Sequence, residues 1–132
     1  MDCLFCKIAN KEMVADVVYE NDGAVGVLDV HPVAPGHTMI LPKVHAENIL
    51  DLPKNKIEPV FTAVKEMTKK LQEIFNPDGF TIGINHGKVS GQAVDHLHIH
   101  IIPRFKGDGG KSIHSVVDNS PESLAEIKEK FK

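Results

Sequence analysis

The sequence predicts an α+β domain with a mainly antiparallel sheet. Short β-type runs separated by turn residues fill the first third, one long helical period occupies the middle, and β-type runs resume after it. With 42% apolar and 25% charged residues, the 132-residue chain has the balance of an ordinary globular protein. That length buries roughly two-thirds of the unfolded surface without obligatory staples. One domain over 1–132 is expected, with its core at 3–106 and a tail with a short helix over 107–132.

Val17–Glu20 and Ala24–Asp29 read as two strands split by the turn Asn21-Asp22-Gly23. Gly36–Pro42 reads as a third, entered through Pro35-Gly36 and closed by Pro42. The period then changes. Ile57, Val60, Phe61, Val64, Met67, Leu71, Ile74 and Phe75 recur at three- and four-residue steps, one apolar face of a helix. Its start is placed at Asn55, with Glu58 in capping-box spacing and Pro59 in the first turn, and Asn76-Pro77-Asp78-Gly79 ends it. Strands resume at Phe80–Asn85 and Asp95–Ile102, giving about five in all, joined by the loop His86–Gln92. Behind Ser120-Pro121, Leu124, Ile127 and Phe131 share one face of a short C-terminal helix.

Fifteen Lys and Arg against eighteen Asp and Glu leave a formal charge of −3, which gives no support to non-specific nucleic-acid binding. No run approaches the ~20 apolar residues needed to cross a bilayer, so no membrane partner is expected. The N-terminal MDCLFCKIANKEM has no basic start followed by an apolar region. Its two cysteines cannot build the disulfide framework of a small secreted domain, so a reducing, cytoplasmic setting is expected.

Eight histidines against one tyrosine and no tryptophan is the odd ratio of the composition. Three of them alternate in His96-Leu97-His98-Ile99-His100-Ile101-Ile102. In a strand His96, His98 and His100 line one face, while Leu97, Ile99 and Ile101 anchor the other. Neighbouring histidines then lie ~6.6–6.8 Å apart at Cα, so adjacent pairs can share a metal but the outer two hardly can. A strand built only for stability would carry Val or Thr there, because each imidazole adds two nitrogens that need partners. Imidazole acts near pH 7 as nucleophile, proton donor or metal ligand. The spacing of Cys3 and Cys6 suits two thiolates on one tetrahedral ion, although alone the pair is half a site and incidental cysteines remain an alternative.

The alternating run resembles the signature of the histidine-triad (HIT) superfamily of nucleotide hydrolases and transferases. Phe5-Cys6-Lys7-Ile8, Leu28-Asp29-Val30, Gly36-His37-Thr38, Pro42-Lys43-Val44-His45, Asn85-His86-Gly87, Gly91-Gln92 and Ile102-Pro103-Arg104 follow in the family's order, over roughly residues 3 to 106. The resemblance implies a HIT-like antiparallel sheet with one long helix. It also implies cleavage at the α-phosphorus of purine nucleoside phosphoramidates or adenylylated compounds, with an AMP-like substrate. His98 is then the nucleophile, forming a nucleotidyl–imidazole that water hydrolyses, with His100 and His37 bonded to the phosphate and its neighbours. By the same resemblance Gln92 lies near the phosphate, Asn85 lines the pocket, Asp29 accepts from the ribose hydroxyls, and Phe5, Ile8 and Val30 wall the base. Ala93 stands where many phosphoramidase-branch members have serine, and a methyl cannot donate to a phosphate oxygen or a leaving amine.

The resemblance further implies a structural zinc on Cys3, Cys6, His45 and His96, and a homodimer formed through the long helix and a sheet strand. Rival readings are a dinucleoside polyphosphate hydrolase, a non-catalytic nucleotide-binding scaffold of this fold, and a metal-dependent enzyme using a histidine pair as ligands. The last lacks a third, carboxylate ligand at suitable spacing. His31, His86 and His114 carry no assigned role. Lys43, Lys88, Arg104 and Lys106 lend positive potential to the phosphate pocket or are simply solvated.

Overall fold

Five antiparallel strands form one sheet in the order β1-β2-β3-β5-β4, where β1 is Val17–Glu20, β2 Ala24–Leu28, β3 Thr38–Pro42, β4 Gly79–Gly83 and β5 Ile99–Arg104. The computed structural model describes residues 3–121 and 123–132, so Met1, Asp2 and Glu122 of the expected single domain lie outside the described residues. Among the described residues, three α-helices accompany the sheet: α1 (Leu4–Ala9), α2 (Lys54–Phe75) and α3 (Leu124–Glu129). This is the expected α+β architecture with one long helix and a short C-terminal one.

The turn between β1 and β2 is held by Asn21, whose Oδ1 accepts from the amides of Gly23 and Ala24, both at 2.9 Å. Alternation then sorts the sheet residues. Ala24, Ile40, Ile99 and Ile101 bury toward Val60, Ala63, Val64, Met67 and Leu71 of α2. Val25, Val27, Met39 and Leu41 form the opposite face, packed with Cys3, Phe5 and Ala9 at α1. His100 pairs with Met39 in the ladder, so it lies on this second face, away from the long helix.

The structure moves the expected starts of α2 and of the last strand. α2 starts at Lys54 behind Pro53, with no side-chain cap, so Asn55 is not the cap and Glu58 completes no capping box. Pro59 consequently sits in the second turn, where its missing N–H would have met the Asn55 carbonyl. Asn76 does end the helix, in the left-handed conformation at φ 46°.

The start of the last strand matters most. The strand expected from Asp95 begins its ladder only at Ile99, which pairs with Ile40. Continuing that register would set Leu97 opposite Pro42, which has no N–H to give. The Leu97 amide instead donates to the Ala46 carbonyl at 2.7 Å. His96 and His98 therefore lie on an irregular approach to β5, while Leu97 still buries with Ile99 and Ile101 as alternation requires. The helix α1 was not foreseen, since six residues are too few to display a helical period.

Gly36 enters β3 with φ +85°, and a Cβ there would fall 2.9 Å from the Phe75 ring at the end of α2. Gly36→Ala is expected to destabilise the fold by about 1–3 kcal/mol, the usual cost of such backbone strain. A lowered denaturant midpoint at unchanged slope is the check.

Candidate active site and metal cluster

Two groups of side chains meet beside the approach to β5. In the first, Cys3 and Cys6 flank the start of α1, His45 follows β3, and His96 opens the histidine run. Their donor atoms all lie within 4.8 Å of one another. Nδ1 of His96 is 3.3 Å from the Cys3 sulfur and 3.4 Å from that of Cys6, and Nδ1 of His45 is 3.2 Å from the Cys6 sulfur. A tetrahedral zinc with ordinary bond lengths sets sulfur–nitrogen edges of about 3.6 Å, so the cluster is near ligand geometry.

The His96 ring is also turned correctly for a ligand. Its Nε2–H donates to the Pro42 carbonyl at 2.9 Å, which leaves the Nδ1 lone pair facing the sulfurs. Burial, with the neighbouring Cys3, pushes the Cys6 thiol up to about 11, so binding a cation there would release its proton. The donor set of two sulfurs and two nitrogens fits a closed zinc site.

The second group contains His37, Asp29, His98 and His100. Nδ1 of His98 donates to the His96 carbonyl at 2.8 Å. Among the described residues no buried side-chain nitrogen or oxygen is without a partner, so the unbonded Nε2 of His98 is reached by solvent although the residue is only 8% exposed. The Phe5 ring stands edge-on to it, with centroids 5.0 Å apart. The His100 ring also stands edge-on to it, with centroids 5.0 Å apart.

A directional chain fixes the tautomer of His100. The Val33 amide donates to Nδ1 of His37 at 3.1 Å, so the neutral His37 ring carries its proton on Nε2. That Nε2–H donates to Nδ1 of His100 at 2.9 Å, which leaves the His100 proton on its own Nε2. The site thus holds one bare imidazole nitrogen on His98 and one N–H on the neighbouring His100. Burial first, then the nearby histidines, depresses His100; burial depresses His37; Asp29 opposes both shifts.

These depressed values have a consequence for stability. The unfolded chain takes up protons at these histidines first as pH falls, so stability is full above about 6.5 and declines below it. The expected result is a Tm that drops on acidification below about 6.5, with a shallower slope in His37→Gln, measured by thermal scans across pH.

Asp29 brings a carboxylate to this pair, with Oδ2 3.3 Å from Nε2 of His37 and 3.7 Å from Nδ1 of His100. Spacing along the chain did not reveal this third group, because it comes from the end of a different strand. The three residues resemble a two-histidine, one-carboxylate metal set. The Val33 amide argues against that use: it occupies Nδ1 of His37 and keeps a proton on the nitrogen that would have to bind the metal. The other Asp29 oxygen accepts from the His31 amide at 2.8 Å. At 12% exposure the carboxylate is more buried than an open strand end suggests.

The remaining candidates divide. Phe5 is a wall of the site, Ile8 packs at the edge of the α1 cluster, and Val30 stands in solvent at 79% exposure. Asn85 lies against Gly91, and Ala93 is exposed. The Gln92 amide is committed to main chain: Oε1 accepts from Gly87 N–H at 2.8 Å, and Nε2 donates to the carbonyls of Glu47 and Val94 at 2.7 and 3.1 Å. Lys43 is paired with Glu20 and Arg104 with Asp108, while His31, His86 and His114 are exposed. The functional groups that sequence reasoning missed are main-chain ones, the Val33 amide and the carbonyls of Pro42 and Glu47. Only Pro35-Gly36, a turn that folds residue 33 back over 37, hinted at one of them.

An open antiparallel sheet with a histidine run on the face opposite one long helix is the fold and site of the HIT proteins. A family model for the HIT domain matches residues 10–107, and the chain belongs to that family. An uncharacterised HIT-like protein of Methanocaldococcus jannaschii is 41% identical over 128 residues, 96% of this chain and 98% of its own. The adenylylsulfatase HINT3 of Arabidopsis thaliana is 34% identical over 81% of this chain and 54% of its own. The adenosine 5'-monophosphoramidase HNT1 of Candida albicans is 34% identical over 77% and 70% respectively. Among solved structures, a HIT-family member from Bacillus subtilis has a TM-score of 0.86 at 34% identity, over 99% of this chain and 95% of that chain. A zinc-bound histidine triad family protein from Mycobacterium smegmatis has a TM-score of 0.76 at 29% identity, over 98% and 89%.

Proposed function

We propose that this chain is a nucleotide hydrolase or nucleotidyl transferase acting at the α-phosphorus of purine nucleoside phosphoramidates or adenylylated compounds. The observation that carries the reading is the juxtaposition of two nitrogens, the bare Nε2 of His98 and the Nε2–H of His100. The lone pair of His98 attacks phosphorus, and the bond to the leaving group breaks as that group takes a proton from solvent water. The N–H of His100 bonds a phosphate oxygen where charge builds. Water then attacks the nucleotidyl–imidazole and gives up a proton to solvent, the N–P bond breaks, and the nucleotide leaves with His98 restored.

His37 holds His100 in its donor tautomer, Asp29 accepts from the ribose with its unused lone pairs, and Phe5, Ile8 and Val30 flank the base. Asn85 and Gln92 shape the phosphate side. Zinc on Cys3, Cys6, His45 and His96 would be structural, tying the N-terminus and the His45 loop to the catalytic segment. The relatives named adenylylsulfatase and monophosphoramidase support the substrate class. The reading includes a cytoplasmic homodimer. Exposed Ile57 and Phe61 on α2 and Ile82 on the edge strand β4 support the expected interface.

The test is incubation with adenosine phosphoramidate, aminoacyl adenylates and dinucleoside polyphosphates, with AMP release quantified by chromatography. Release from the first two is expected. Preferential cleavage of the dinucleotides would assign the polyphosphate activity instead. Ala93, which brings no hydroxyl to the phosphate side, favours a second reading as a nucleotide-binding scaffold. Tight AMP binding with no turnover of any substrate would establish that alternative.

A further inference from the structure

We propose that Gln92 is a positioning residue that couples the Cys3–Cys6–His45–His96 cluster to the nucleotide site. The coupling rests on the reading of that site given above. Gln92 is 8% exposed, and its side chain bonds three main-chain groups, one on a distant stretch of chain and one on each side of it in sequence. One is the Glu47 carbonyl, two residues beyond His45. Another is the Gly87 amide, at the start of the loop that carries Lys88, Val89 and Ser90. The third is the Val94 carbonyl, on the segment leading to His96 and His98.

Each tie reaches one side of the site. Ala46, between His45 and Glu47, accepts from the Leu97 amide at 2.7 Å, so the His45 segment is gripped by Leu97 on one side and by Gln92 on the other. Val94 packs in the cluster of Cys3, Cys6 and Phe5, and Phe5 is the ring edge-on to both His96 and His98. Drawing the four cluster ligands together on a cation fixes His45. Through Glu47 and Gln92 that also fixes the 87–92 loop and the approach to His98. An amide is suited to this work, because one side chain supplies two donors and an acceptor at once. Its polar atoms are committed to the frame, so it acts through the frame instead of touching the phosphate.

Coupling between two ligands is reciprocal and measurable as a ratio of affinities. The affinity for AMP is measured by calorimetry on the full chain with zinc chloride and after EDTA, in the parent and in Gln92→Met, which keeps the length and removes all three bonds. The parent is expected to bind AMP about tenfold more tightly with zinc, and Gln92→Met to show a ratio near one. Gln92→Glu, which keeps the acceptor to Gly87 but loses both donors, should lose most of the effect. A general loss of stability would lower Tm without collapsing this ratio.

Amide exchange at Gly87 is the second readout, and it needs no nucleotide. Zinc should slow it in the parent and leave it unchanged in Gln92→Met. An equal zinc effect on AMP affinity in both proteins, or no zinc effect on Gly87 in the parent, overturns the coupling. A parent that binds no AMP but shows zinc-dependent Gly87 protection lost in Gln92→Met retains the coupling and refutes the nucleotide reading instead.

Discussion

His98→Ala is expected to reduce AMP release from adenosine phosphoramidate by about 10⁴-fold or more, the scale on which covalent catalysis fails without its nucleophile. The ring makes one hydrogen bond, from Nδ1 to the His96 carbonyl at 2.8 Å, and its removal leaves the sheet and both core clusters intact. Folding and AMP binding should therefore survive, which separates lost chemistry from lost structure. In His98→Gly, added imidazole should restore part of the rate by supplying the missing nitrogen from solution. Activity unchanged in His98→Ala would remove the nucleophile from this position. His100→Ala should cost less, since it takes away a donor to the phosphate and leaves the attacking lone pair.

The second large effect is on stability. A ligand that binds only the folded state adds about 4 kcal/mol at a free concentration a thousand times its dissociation constant. For a domain of this size that corresponds to a Tm shift of roughly 10–20 °C. Zinc-loaded protein treated with EDTA is expected to lose Tm on this scale, and Cys3→Ser to show little further response to chelation. The same experiment separates structural metal from metal catalysis. If EDTA abolished turnover while leaving Tm unchanged, a catalytic ion would have to replace the histidine mechanism.

What the sequence revealed and concealed has a physical pattern. The strands and the body of α2 were readable because burial imposes periods of two and about 3.6 on side-chain type. Leu97, Ile99 and Ile101 reach the core as alternation requires, even where the ladder is missing. Boundaries were harder: Asn55 with Glu58 carried the residue types of a capping box, yet the chain starts the helix behind Pro53 with no side-chain cap. Both the cysteine–histidine cluster and the histidine face were legible as residue types in order. The atoms that set their tautomers were not. The carbonyls of Pro42 and His96 and the Val33 amide belong to the main chain, and no residue type marks them. Asp29 was visible as a candidate, but its approach to His37 and His100 depends on the turn between β2 and β3.

The missing N–H of Pro42 gives the His98 and His100 rings different mountings. His100 is bolted to a five-stranded plate, whereas His98 rides on a stretch anchored to the neighbouring 45–47 loop. Under the proposed reading, displacing that loop would change the gap between the His98 and His100 nitrogens without bending the plate.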